Sequence, residues 1–397
     1  MVKDVIIIGG GASGLTALIA LLQNGVKNVT LLERLDRVGK KITATGNGQA
    51  NLTNDNLTDK NYYSNKAGFY SFALKNHGVN DYKAFLRSIG IITVSDEQGR
   101  VYPLSKQANS VVDFMRAYLI NNGADIRTGV FVTDIQKKGD LFIVRSDFSD
   151  TFTAKNVLLC TGGNAQKQFG TDGNGYNLAK KLGHTVTKIY PSLVQLKANT
   201  DDIKSLKGLK ADVRLTAIVD GKKVRVEEGE LLFTDYGVSG NAVFKISPAF
   251  AVDGDKLLSV EFLPALDLLT LKDIIVERKK NFPYILGEEL VSGLVHKQIS
   301  KAIFKRSDGT AKSIANACKN FEIKITGTTG FNYAQVTRGG ISANELDDKT
   351  MRSTKCDNLY LVGEVVDVDG DCGGYNLQWA YSSARTATDD IVRRIRG

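Results

Sequence analysis

The chain has 397 residues, 42% of them hydrophobic and 24% charged, and no apolar run near the ~20 residues that span a bilayer, which excludes disordered, fibrous and transmembrane classes. Its length is that of two or three domains. The surplus of 52 Lys and Arg over 43 Asp and Glu gives +9, but these charges are dispersed without a long basic run, so a nucleic-acid partner is not favoured.

Asp4–Gly14 reads DVIIIGGGASG: a β-branched run predicts a buried strand, and Gly9, Gly11 and Gly14 form GxGxxG before the helical pattern Leu15, Leu18, Ile19, Leu22. Gly9 permits the turn, Gly11 lets the backbone approach a pyrophosphate, and Gly14 allows close helix–strand packing; N–H groups around Ala12 and Ser13 face the phosphates. The next apolar run, Val29–Leu32, ends at Glu33, about twenty residues beyond the motif, where a carboxylate accepts hydrogen bonds from a ribose. Asp4, the glycine cluster and the lack of a cleavage pattern argue against a leader peptide.

Farther along, Tyr82–Ile89 and Ser110–Leu119 have helical spacing, while Phe131–Ile135, Leu141–Ser146 and Asn156–Cys160 read as strands. From Ile189 to about Leu263 the pattern is strands and turns: Val213–Val219, a turn at Asp220–Gly221, Lys223–Val226 and Glu230–Phe233. Thr270–Lys280, Tyr284–Val291, Val295–Phe304 and Ala311–Asn320 read as short helices. Asn358–Glu364, NLYLVGE, is a second buried strand ending in Gly363 and an acid, followed by DVDGDCGGYNLQ at Asp367–Gln378 and the helical segment Trp379–Arg396. Glu364 or Asp367 suits a ribityl chain, Gly373–Gly374 let a flat ring approach, and the helix starting near Asn376 aims its positive end at an isoalloxazine.

The element pattern predicts an α/β fold: a split Rossmann-like dinucleotide-binding domain (1–188 and 323–397) with an inserted antiparallel β-barrel or sandwich (189–265) and a small helical subdomain (266–322), the glycine motif alone leaving FAD or NAD open. Four cysteines without a CxxC pair and only three histidines predict neither a disulfide framework nor a metal site, and make a reducing cytoplasm the default location.

GGGASG at Gly9–Gly14, GKKITATGNGQANLTN at Gly39–Asn54, CTGG at Cys160–Gly163, VTRGGISANELDDKTM at Val336–Met351 and LYLVGEVVDVDGDCGGYNLQWAYSSA at Leu359–Ala384 run collinearly along the chain. In these blocks the sequence resembles the BaiN/YhiN-like FAD-dependent oxidoreductases, a group that includes aminoacetone-oxidase-like flavoproteins. The resemblance implies FAD, with Gly9, Gly11, Ser13 and Gly14 at the pyrophosphate and Glu33 and Arg34 at the adenosine ribose. It likewise implies Lys40, Lys41 and Asn51 beside the phosphates and flavin, and a backbone contact from Val132 to adenine. Thr161–Gly162 match the strand end over the pyrophosphate, and Glu364, Asp367 and Gly374, Tyr375 and Asn376 match the ribityl and ring contacts.

The chain departs from that family at Gln49–Ala50, where Arg-Cys is usual, at Asp235 for His, at Asn241 for Pro and at Ala165–Lys167 for Ser-Tyr-Pro, which marks a divergent substrate pocket. Asp235 and Tyr236 are candidates for proton transfer; His184, Arg338, Cys372, Trp379 and Tyr381 read first as structural residues. No second GxGxxG follows a strand, so NADH or NADPH would serve as a transient electron donor without its own Rossmann domain. The expected function is flavin hydride or electron transfer on an unidentified small molecule. Its alternatives are an amine or aminoketone oxidase producing hydrogen peroxide, and an RNA-modifying or RNA-binding flavoprotein. The sequence does not assign catalytic residues or an oligomeric state.

Overall fold

A computed structural model describes all residues from Met1 to Gly397 and divides the chain into two units, Met1–Tyr190 with Val336–Gly397, and Pro191–Gln335. In the first unit the strands run Asp125–Thr128, Val29–Glu33, Val2–Ile8, Thr151–Leu159, Leu141–Ser146 and Val132–Lys138 across one sheet. The pairs made by Val2–Ile8, and that between Val29–Glu33 and Asp125–Thr128, are parallel, whereas the last three strands form an antiparallel meander. Thr151–Leu159 shares its outer edge, pairing Thr151–Ala154 with the meander and Val157–Leu159 in parallel with Leu359–Leu361.

Val5, Ile6, Ile7 and Ile8 are all buried, and since successive side chains point to opposite faces, both faces of this strand are covered, which is why it is an unbroken apolar run. The helices Ala12–Gln23 and Tyr375–Arg396 pack together, so the two ends of the chain share one core. A short pairing of Val368–Gly370 with Tyr62–Ser64 ties the C-terminal segment to the first hundred residues.

The second unit is a closed barrel in the order Leu196–Ala198, Gly237–Ser239, Lys222–Phe233, Lys210–Val219, Lys256–Glu261 and Phe321–Thr328, all pairings antiparallel. Closure removes both sheet edges. The expected turn at Asp220–Gly221 is present with positive φ at both residues, as a tight hairpin of this hand requires. Lys223–Val226 and Glu230–Phe233 are parts of one long strand, Lys222–Phe233. Helices Leu268–Asn281, Lys297–Lys305 and Ala311–Lys319 pack beside the barrel, and Tyr284–Val291 holds only a 3-10 turn, Gly287–Val291.

The boundary expected at 323 lies elsewhere. Phe321–Thr328 alternates buried and exposed side chains and pairs with Lys256–Glu261 and Leu196–Ala198, so it closes the barrel, and the chain rejoins the first unit at Val336. No helix is long and apolar enough to cross a membrane.

Candidate functional site

All the residues singled out for a cofactor lie in the first unit, where the ends of parallel strands meet two helix starts. Gly9 has φ +104°, and a Cβ there would lie 2.4 Å from the carbonyl oxygen of Cys160 and 3.1 Å from Cα of Thr161. This contact brings the Thr161–Gly162 strand end against the loop. At Gly14 a Cβ would stand 1.9 Å from the Gly9 carbonyl oxygen, so the first helix closes directly onto the turn. Gly11 differs from both: a Cβ would meet no atom within 4 Å. Gly11 caps Ala12–Gln23 without a side-chain hydrogen bond, and no acid occupies the first turn, so no side chain of the cap takes up the N–H groups around Ala12 and Ser13. That cradle fits a diphosphate.

Glu33 ends its strand with both oxygens held: Oε2 accepts from Gly10 N–H at 2.7 Å and Oε1 from Leu35 N–H at 2.8 Å. Burial raises its pKa, and the two backbone donors oppose this without cancelling it. Each oxygen keeps a lone pair for a ribose hydroxyl. Arg34 pairs with Asp172 at 2.6 Å and stacks 4.3 Å over Phe131. The backbone of Val130 donates to the Glu33 carbonyl, and Val132 accepts from Asn174 Nδ2 at 2.9 Å, so the segments around Glu33, Val132 and Asp172 converge.

At the other end, Lys41 Nζ meets Glu364 Oε2 at 2.8 Å, joining residues that the two halves of the split domain contribute. Thr337 N–H donates to the second Glu364 oxygen at 2.9 Å. Lys40 turns away to Asp36. Gly363 touches the first loop, since a Cβ there would be 2.7 Å from Ser13 Oγ. Asp367 accepts from Thr187 Oγ1 at 2.9 Å and is buried, which pushes its carboxyl up.

Gly374, with φ +102°, caps the helix Tyr375–Arg396; a Cβ there would collide with Thr53 backbone at 2.4 Å and approach Asn51 Oδ1 at 2.8 Å. Asn376 spends its side chain on Gly370, donating to the carbonyl at 2.8 Å and accepting from the N–H at 2.9 Å. Its offer to a ligand is therefore backbone N–H at the positive helix end.

The other candidates are placed as follows. His184 is buried between Glu345 and Ser353, satisfied at both nitrogens, and its pKa is lowered by burial. Asp235 is exposed and paired with Lys207 at 3.0 Å, which lowers its pKa. Trp379 is buried and donates to the Gly363 carbonyl at 3.1 Å, a packing role that fixes this loop. Gln49 is exposed and Ala50 buried. Asp172, Thr337 and Asp369 escaped the sequence reading because each acts through a partner far along the chain.

The family described as HI0933-like protein Rossmann domain matches residues 3–390. A 3-dehydro-bile acid delta(4,6)-reductase of Clostridium scindens is 35% identical, over 96% of this chain and 97% of the relative. A ribosomal RNA dihydrouridine synthase of Haemophilus influenzae is 30% identical over 98% of both chains. Among solved structures, 3-ketosteroid delta1-dehydrogenase from Sterolibacterium denitrificans shares the fold at a TM-score of 0.52, covering 99% of this chain and all of that one at 11% identity. The family expected from the sequence is thus borne out: the chain belongs to the HI0933-like Rossmann family and has the fold of FAD-binding oxidoreductases.

Proposed function

We propose that this FAD-dependent oxidoreductase is a reductase that adds hydride and a proton across a carbon–carbon double bond conjugated to a carbonyl, with NADH or NADPH as the transient donor. The observation that carries the reading is identity of 35% over 96% of the chain with a bile acid reductase. The reaction named for the dihydrouridine synthases has the same form, saturation of a ring double bond conjugated to a carbonyl.

Bound FAD supplies the hydride acceptor and donor. The chain's own residues hold it. Amides of Gly9–Gly14 with Ala12 and Ser13 take the diphosphate, and Glu33 takes the adenosine ribose, with Arg34 and Val132 alongside. Thr161 and Gly162 close over the diphosphate. Glu364, fixed by Lys41 and Thr337, and buried Asp367 would take the ribityl hydroxyls, with Asn51 and Gly363 around them, while Lys40 is engaged by Asp36. The helix start at Gly374, Tyr375 and Asn376 would offer backbone N–H groups and a positive helix end to the bound ring, which favours negative charge there. Exposed Gln49 puts no fixed charge at this point of the loop, which suits an uncharged substrate face.

Anaerobic addition of NADH, then NADPH, to the purified holoprotein, followed at about 450 nm where flavins absorb, tests this. Bleaching, and recovery of absorbance on adding a 3-oxo-4-ene steroid or another enone, is the expected result. A bound flavin that neither nucleotide bleaches contradicts it and points to amine oxidation, read as hydrogen peroxide. The second reading, an RNA substrate, is supported by the rRNA-modifying relatives. It predicts retention of ribosomal RNA that falls steeply with salt.

A further inference from the structure

Asp369 lies in the middle of the strand Val368–Gly370, directly opposite Tyr63, between the Glu364–Asp367 segment and the helix that starts at Tyr375. The next residue, Gly370, is doubly hydrogen-bonded to Asn376, so this strand is tied to the helix start. The Asp369 side chain is shut away from solvent at 1% exposure, and neither carboxyl oxygen has a hydrogen-bond partner. Arg338 Nε stands 3.9 Å from Oδ1, too far for a hydrogen bond, with its guanidinium 4.9 Å over the Tyr63 ring. The Tyr63 hydroxyl in turn donates to Asp371 at 3.2 Å.

Arg338 is held there by the turn that follows it. A Cβ at Gly340 would be 2.7 Å from the Val365 carbonyl and 3.0 Å from Asp367 N, so the turn lies flat on the segment proposed to face the ribityl chain. The charged groups acting on Asp369 are thus Arg338 on one side and Asp367, Asp371 and Glu364 on the other, with Lys41 engaged by Glu364. A buried carboxylate among three further acids, with no N–H or O–H to steady it, is costly to ionise. Burial, only partly offset by Arg338, pushes this carboxyl up to about 7. It is therefore poised to change charge when the surrounding field changes.

We propose that Asp369 is a redox-linked proton acceptor of the FAD site, taking one proton from solvent as the cofactor is reduced. This rests on the FAD reading above. Two electrons and one proton entering the cofactor leave a net negative charge, which disfavours the Asp369 carboxylate. That carboxylate plus a solvent proton gives the carboxylic acid, and reoxidation returns the proton. Asp369 is a positioning residue in this scheme: it sets the charge around the site and touches no reacting atom.

The test is the midpoint potential of the bound flavin against pH, poised enzymatically with a reference dye, in the holoprotein and in Asp369→Asn. Wild type is expected to take up about two protons per two electrons near and just above neutral pH, and D369N about one. A second readout is the infrared difference spectrum on reduction, which in wild type gains a protonated-carboxyl band that D369N lacks. Equal pH slopes in a folded, flavin-loaded D369N overturn the proposal. If D369N does not fold, the wild-type spectrum decides, and absence of the gained carboxyl band overturns it. A purified chain that binds no FAD overturns the FAD reading and this proposal together, whereas failure in a loaded protein overturns this one alone.

Discussion

The glycines of the first loop are not interchangeable. At Gly14 an added methyl group would collide with the Gly9 carbonyl oxygen at 1.9 Å, and neither backbone can yield without parting helix from strand. Gly14→Ala is expected to cost about 2–3 kcal/mol or more, read as a lower denaturant midpoint; unchanged stability would refute this packing argument. The Lys41–Glu364 pair is the other residue-scale test. Both side chains are about one-fifth exposed, so Lys41→Met should destabilise by about 1–2 kcal/mol after allowance for solvent screening, and release flavin more readily. Adding Glu364→Gln should recover part of the lost stability, because the orphaned charge is then gone. A double variant less stable than either single would argue against direct coupling.

At the scale of elements, the helix Tyr375–Arg396 is held by a buried polar seam. Gln378 is fully buried and bonded to Thr53, His77 and Ser382, and Tyr381 stacks 4.2 Å from Tyr82 while donating to Asp81. His77 meets Asp81 at 3.2 Å and Asp389 at 3.1 Å. Burial opposes its charge, but the bonds to Asp389 and Asp81 prevail and raise its pKa above 6.5. A raised histidine binds its proton more tightly folded than unfolded. Its contribution is therefore complete below pH 6.5 and is lost as pH rises through the folded value. The thermal midpoint of His77→Gln, subtracted from wild type across pH 5.5–8.5, should show a difference that shrinks toward the alkaline end (the range is about three units of pH). A constant difference would mean that His77 acts by packing alone.

For the molecule as a whole, each unit has a separate apolar core, one around Val5–Ile8 and the other inside the barrel around Val213, Leu215, Phe233 and Phe321. Pro191–Gln335 made alone should unfold cooperatively with a β-rich spectrum, and a non-cooperative transition would refute its independence. Local pattern revealed the strand, Gly9–Gly14 loop and helix, the strand end at Glu33, and a helix start near Asn376, which the structure has at Tyr375, since each depends on residues near in sequence. It did not reveal Phe321–Thr328 as the closing barrel strand, because that pairing reaches back to Leu196–Ala198. Nor did it reveal the Arg34–Asp172, Glu364–Thr337 or Arg338–Asp369 contacts, which only the folded chain assembles. The central claim is that the loop at Gly9–Gly14 holds FAD. A Cβ at Gly11 meets no protein atom, so a valine there fills ligand space rather than core. The measurement is flavin content per chain, with the thermal midpoint, in wild type and Gly11→Val. The account predicts about one FAD per wild-type chain and a folded variant with none; a folded variant with its full flavin complement would contradict it.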